Sequence, residues 1–260
     1  MALEVNNVSY IKDGKSILKN INLFLDTGIY AVLGSNGAGK STLLKVISTL
    51  LKPTQGSVLY EKKDIKTNSE YLSKLSFMPQ NVGLIKDFDI VDNLHYFGLL
   101  KGCKNKELKT KISAIISDFD LEALKNVKIF NLSGGVVQRI GIALSLINSP
   151  QILILDEPFN NLDSTERNRL YDILQEISKN SVVIISTHLI TEIENVADKF
   201  IFMKDGNITF IGNRDQSITN FNEKAGKTFV KPNINEDMEE HSRSEKTIFE
   251  MTFEYYTKYF

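Results

Sequence analysis

Eight consecutive residues, Gly34-Ser35-Asn36-Gly37-Ala38-Gly39-Lys40-Ser41, fit the pattern G-x-x-x-x-G-K-[ST], and Thr42 follows. The pattern has a physical use. Glycines let the backbone curl until successive N–H groups point inward at an anion, and a helix starting at the end of the loop adds its positive pole. A lysine at the seventh position meets the β- and γ-phosphates, and the next hydroxyl, on Ser41, suits Mg²⁺. Thr42 adds a further phosphate contact. The implied ligand is a nucleoside triphosphate.

A second acidic constellation follows far downstream. The run Ile152-Leu153-Ile154-Leu155 leads straight into Asp156-Glu157-Pro158, placing two adjacent carboxylates at the end of an apolar strand. In parallel sheets, strand carboxyl ends carry the ligand-binding groups. Asp156 is assigned to the metal and Glu157 to the general base that orients water. His188, after Ser186-Thr187, should emerge on the same rim as a γ-phosphate sensor. Gln80, after Phe77-Met78-Pro79, is placed to bridge metal and water.

These groups require a scaffold that brings loop and strand ends together. Residues 3–10, 17–25 and 30–33 read as strands with a turn at 12–15, and 40–51 carries apolar residues at helical spacing before Lys52-Pro53. From 91 to 146 the pattern is helical. The fully apolar runs 152–155 and 182–186, separated by a helix around 166–177, read as strands buried on both faces and joined by a crossover. Residues 200–203 and 208–211 flank Asp205-Gly206 as a closing hairpin. The fold class is therefore α/β, and no internal repeat interrupts it. Residues 213–246 read as a polar linker, and the aromatic stretch from Ile248 reads as a helix presenting Ile248, Met251, Thr252, Tyr255 and Tyr259.

Composition narrows the class further. With 31 basic and 32 acidic residues the net charge is −1, so no general basic surface exists for nucleic acid. Cys103 is the single cysteine, which excludes an internal disulfide or a cysteine metal cage. The apolar runs are too short to span a bilayer, and the first ten residues lack a basic patch followed by an apolar run.

One motif has no use within a single chain. Leu132-Ser133-Gly134-Gly135-Val136 opens a predicted helix and makes a second anion site, which implies a second nucleotide-bearing molecule. Here the sequence resembles the ATP-binding cassette (ABC) transporter nucleotide-binding subunits, over residues 1 to about 212. The family's elements occur in order: the phosphate loop, Gln80, the signature at 132–136, Asp156-Glu157, the D-loop-like Asn161-Leu162-Asp163, and His188. The resemblance implies a P-loop core with a parallel sheet, an N-terminal antiparallel β subdomain and a helical subdomain at about 84–150. Residues 1–212 would form the ATPase domain and 213–260 the linker and aromatic helix.

It further implies ATP and Mg²⁺ as ligands, with Ser41, Gln80 and Asp156 at the metal. Glu157, His188 and Gln80 would serve hydrolysis, and Ser133, Gly134, Gly135 and Asp163 would act across a dimer with a second ABC ATPase subunit. A separate transmembrane permease would hold the chain at the cytoplasmic face of the cell membrane. The text at 72–102 and 187–212 is similar to ATPases of the bacitracin, lantibiotic and ABC-2-type exporter group, which implies export of peptide or drug-like cargo. A soluble ABC-type ATPase such as a cluster-assembly factor is the alternative. The pattern departs at Val136, where Gln is usual, and at Phe159, where Thr is common. Lys12 occupies the place of the adenine-stacking aromatic, with Tyr10 as its expected substitute on the same strand face.

Overall fold

A computed structural model describes residues 2–188, 190–225 and 248–259. The chain runs β1 (Leu3–Lys12), β2 (Lys15–Leu25), β3 (Gly28–Leu33), α1 (Lys40–Ile47), β4 (Gln55–Tyr60), β5 (Lys63–Asp64), α2 (Ser69–Lys74) and β6 (Leu75–Met78). It continues through α3 (Ile90–Leu100), α4 (Asn105–Asp118), α5 (Gly134–Leu146), β7 (Ile152–Asp156), α6 (Ser164–Ser178) and β8 (Val182–Thr187). It closes with β9 (Lys199–Lys204), β10 (Asn207–Gly212), α7 (Arg214–Ala225) and α8 (Ile248–Tyr259).

Two sheets result. An antiparallel sheet in the order β2-β1-β4-β5 lies beside a sheet in the order β10-β9-β3-β8-β7-β6, parallel throughout except at β10. Every residue of β3, β7 and β8 is buried, as two-sided coverage demands. Alternate side chains sort into two cores. Ala31, Leu33, Leu153, Leu155, Val183 and Ile185 pack with the helical segment α3–α5 and with α6. Tyr30, Val32, Ile154 and Ile184 pack instead with α1 and the antiparallel sheet. The period of two along each strand thus divides the molecule into a layer on either side of the parallel sheet.

Three boundaries differ from the sequence expectation. Helix α1 stops at Ile47 because Thr49 turns left-handed (φ 66°) and Leu51 N–H returns to the Lys45 carbonyl, four residues ahead of Pro53. The polar stretch read as linker begins as α7, started by a reciprocal cap: Gln216 N–H donates to Asn213 Oδ1 and Asn213 N–H to Gln216 Oε1, both at 2.9 Å. Residues 226–246 of that stretch lie outside the described residues. In α8 the buried face is Phe249, Thr252 and Tyr256, whereas Met251 and Tyr255 of the expected stripe are only half-buried.

Candidate functional site

The loop between β3 and α1 sits at the carboxyl edge of the parallel sheet, where β3, β7 and β8 end side by side. Gly39 holds φ 104°, a conformation that glycine adopts freely, and this turn starts α1 at Lys40. The Lys40 ammonium donates to the Gly34 carbonyl at 2.7 Å and the Ser35 carbonyl at 3.3 Å, leaving a third N–H for an anionic oxygen. Burial lowers its pKa, and the nearby Glu157 and Asp156 carboxylates oppose that shift. An open cleft of about 310 Å³ lies over the loop, lined by Ile17, residues 35–42, Gln80 and Glu157.

One hydroxyl bonds the Asp156 carboxylate and the Glu157 backbone together. The parallel register pairs Asp156 with Ser186. Ser186 Oγ donates to Asp156 Oδ1 and accepts the Glu157 N–H at 3.1 Å. Ser41 Oγ donates to the same Asp156 oxygen at 3.2 Å, joining the end of the phosphate loop to the acidic strand end. Glu157 itself is left-handed (φ 53°) and buried, a costly backbone state that persists only where neighbours enforce it. They do so here. The Ser186 carbonyl also accepts its N–H at 3.1 Å, while Gln138 Nε2 donates to the Glu157 and Pro158 carbonyls at 3.1 and 3.0 Å. His188 Nδ1 bonds Glu157 Oε2 at 3.0 Å with much of the imidazole exposed.

The strand end carrying His188 is tied to a further loop. Thr187 Oγ1 donates to Glu192 Oε2 at 2.9 Å, Glu192 pairs with Arg167 at 3.4 Å, and Arg167 Nε donates to the Leu162 carbonyl at 3.1 Å. Next to Leu162, Asp163 caps α6 in a reciprocal box with Glu166. Ser133 caps α5 by accepting the Val136 N–H at 3.4 Å. Gly135 lies against Asn161, where a Cβ would come within 2.6 Å of the Asn161 carbonyl oxygen.

The fold therefore gathers residues 35–42, Gln80, Asp156, Glu157 and His188 around one cleft. It keeps Ser133, Gly134, Gly135 and Asp163 outside that cleft's lining, on a signature-and-D-loop edge of their own. Tyr10 and Lys12 do not line the cleft either. The register of β1 against β2 shifts between Tyr10 and Ile11, where Ile17 of β2 is the unpaired extra residue. Tyr10 packs on the core beside α1, Lys12 is exposed, and Ile17 supplies the wall in their stead. Ser186 and Gln138 were not assigned from the sequence, since only strand register and helix packing reveal them.

Residues 18–160 match the family model described as ABC transporter. The chain belongs to this family. Among ABC relatives, the chain is 33% identical over 209 residues to the lantibiotic transport ATP-binding protein SrtF of Streptococcus pyogenes, covering 79% of this chain and 88% of that one. It is 35% identical to ABC transporter A family member 11 of Dictyostelium discoideum, covering 71% of this chain but spanning only 22% of that much longer relative. Among solved ABC structures, the dimeric post-hydrolysis state of the cassette MJ0796 bound to ADP and Pi superposes with a TM-score of 0.74 at 27% identity, covering 81% of this chain and 98% of that one. The chain is an ABC ATPase built on the ABC ATPase fold, and no helix among its described residues is long and apolar enough to cross a membrane.

Proposed function

We propose that this ABC ATPase drives a membrane exporter of antimicrobial-peptide or drug-like cargo, two such subunits closing on ATP and moving a separate permease. The observation that carries the hydrolytic reading is the Glu157 carboxylate, buried at the cleft wall and bonded to His188 beside the Lys40 ammonium. In this reading Glu157 takes a proton from water as its oxygen attacks the γ-phosphorus, the bond to the β–γ bridging oxygen breaks, and ADP and phosphate leave. His188 donates from Nδ1 to Glu157 and turns its other edge toward the γ-phosphate. Lys40 and the loop N–H groups hold the phosphate charge, so catalysis is largely positioning and electrostatic stabilisation.

A divalent cation fits the same place. Ser41 Oγ and Asp156 Oδ1 approach within 3.2 Å and Gln80 lines the cleft, an all-oxygen set suited to Mg²⁺. When bound, Mg²⁺ would neutralise charge on the β- and γ-phosphate oxygens. Ser133, Gly134 and Gly135 would contact ATP held by the second subunit, and Asp163, through the Leu162–Arg167–Glu192–Thr187 chain, would link the two sites.

Export is supported by SrtF, of whose length the chain covers 88%. Helix α3 leaves Tyr96, Leu99 and Leu100 exposed at i, i+3 and i+4, an apolar face suited to a permease at the cytoplasmic side of the membrane. The test is Glu157→Gln: nucleotide binding is retained, turnover falls by about 100-fold or more, and ATP drives a stable dimer that brings down a multi-span membrane protein from detergent extracts. Wild-type turnover in this variant would refute the base, and a dimer with soluble partners alone would refute export.

A further inference from the structure

The family match ends at residue 160, yet α8 packs on the far side of the strand that supports the phosphate loop. Strand β9 has two faces with different partners. Phe202 meets Tyr256, Phe253 and Phe249 of α8 at ring distances of 5.4, 5.6 and 6.2 Å. Its neighbour Met203 points the other way, into the core that holds Ala38 and α1. A Cβ on Gly34 would lie 2.4 Å from the Met203 carbonyl oxygen, so the loop rests directly on this strand. The following turn is bonded to the loop as well, Gly206 N–H donating to the Ala38 carbonyl at 3.0 Å.

Helix α8 holds this hairpin at its end too. Lys204 Nζ donates to the Lys258 carbonyl at 2.9 Å, placing a cation at the negative pole of the helix. The same helix packs against residues 190–192, just beyond His188. One helix thus braces the support of the phosphate loop and the segment that follows the candidate γ-phosphate sensor.

We propose that α8 is a positioning element of the nucleotide site, so that its docking and nucleotide affinity are coupled. The inference rests on the reading that the cleft takes a nucleoside triphosphate. Linkage makes the coupling reciprocal: if docked α8 tightens nucleotide binding by some factor, bound nucleotide must favour docking by the same factor.

The test is hydrogen exchange on the full chain with and without saturating Mg-ADP. Protection of residues 35–42 reports binding, and exchange at 248–259 is expected to slow by about fivefold or more, a typical coupling between sites. Protection at 35–42 with unchanged exchange at 248–259 overturns the inference. Loss of protection at both would instead refute nucleotide binding itself. As a converse measurement, Phe249→Ala with Tyr256→Ala should free 248–259 and raise the Mg-ADP Kd by a similar factor. Free exchange there with a wild-type Kd would equally overturn it, and the wild-type experiment decides the matter if the double variant does not fold.

Discussion

Lys101 is a cation held between the helical segment and the sheet, outside the nucleotide cleft, and its replacement by Met tests how the helical segment is held on the sheet. It ends α3 and lines a cavity of about 190 Å³ whose walls include Met78, Val82, Phe97 and Gly141, with its ammonium donating to Ser76 Oγ on β6 at 2.5 Å. Burial pulls its pKa down from 10.5 to about 8, only weakly countered by Cys103. A drop of that size corresponds to an upper bound of about 3 kcal/mol spent holding the charged form at neutral pH. Lys101→Met removes that cost but strands the buried Ser76 hydroxyl, which takes back about 1 kcal/mol. The net expectation is a variant more stable by about 1 to 2 kcal/mol at pH 7.

The pH dependence gives the sign independently. Because the folded pKa lies below the unfolded one, the unfolded chain binds more protons between pH 8 and 10.5, and wild-type stability relative to the variant rises across that window. Urea unfolding followed by circular dichroism at pH 7 and pH 10 measures the difference, and other titrating groups cancel between the two proteins. The variant's advantage should shrink or reverse at pH 10. An advantage that is the same at both pH values would refute a buried, charge-penalised Lys101.

Two substitutions test how the carboxylates are held. Ser186→Ala removes a hydroxyl that serves Asp156 and the Glu157 N–H together, so thermal unfolding should show a loss of about 2 kcal/mol. Steady-state assays on the same variant should show kcat down by about 10- to 100-fold with little change in nucleotide Kd; unchanged kcat would argue that Glu157 is held without it. Gln138→Leu strips the donor from the Glu157 and Pro158 carbonyls, and should likewise lower kcat by about tenfold or more while leaving Mg-ADP affinity within about twofold. A parallel loss of affinity would show instead that the change had spread to the phosphate loop.

What the sequence made legible follows from how local each feature is. The loop at 34–42 and the Asp156-Glu157 pair are contiguous, and their flanking strands declare themselves by unbroken apolar runs, so residue type and spacing suffice. Ser186 is different. It lies thirty residues from Asp156 and gains its role from the parallel register of β7 and β8, which no spacing rule states. Ile17 escaped notice for a related reason: it is the extra residue of an irregularity in β2 opposite Tyr10 and Ile11, which a strand of mixed character does not announce, and it lines the cleft. Helix α7 carried a local signal, the Asn213–Gln216 cap, masked by a polar composition that looked like linker.

The placement of Gln138 bears on why the signature and the general base occur in one chain although they would act on different nucleotides. Helix α5 begins at the signature, capped by Ser133, and four residues on from Gly134 it presents Gln138 to the carbonyls of Glu157 and Pro158. Its first turn also abuts Asn161 through Gly135. A rigid helix is displaced as a body, so a movement that seats the signature against a partner's triphosphate must either carry Gln138 with it or strain its two bonds to a left-handed Glu157. On the proposed reading, the base that would serve one nucleotide is held by the helix that would read the other. Hydrolysis in each half would then depend on the fit of the second without any group crossing between them.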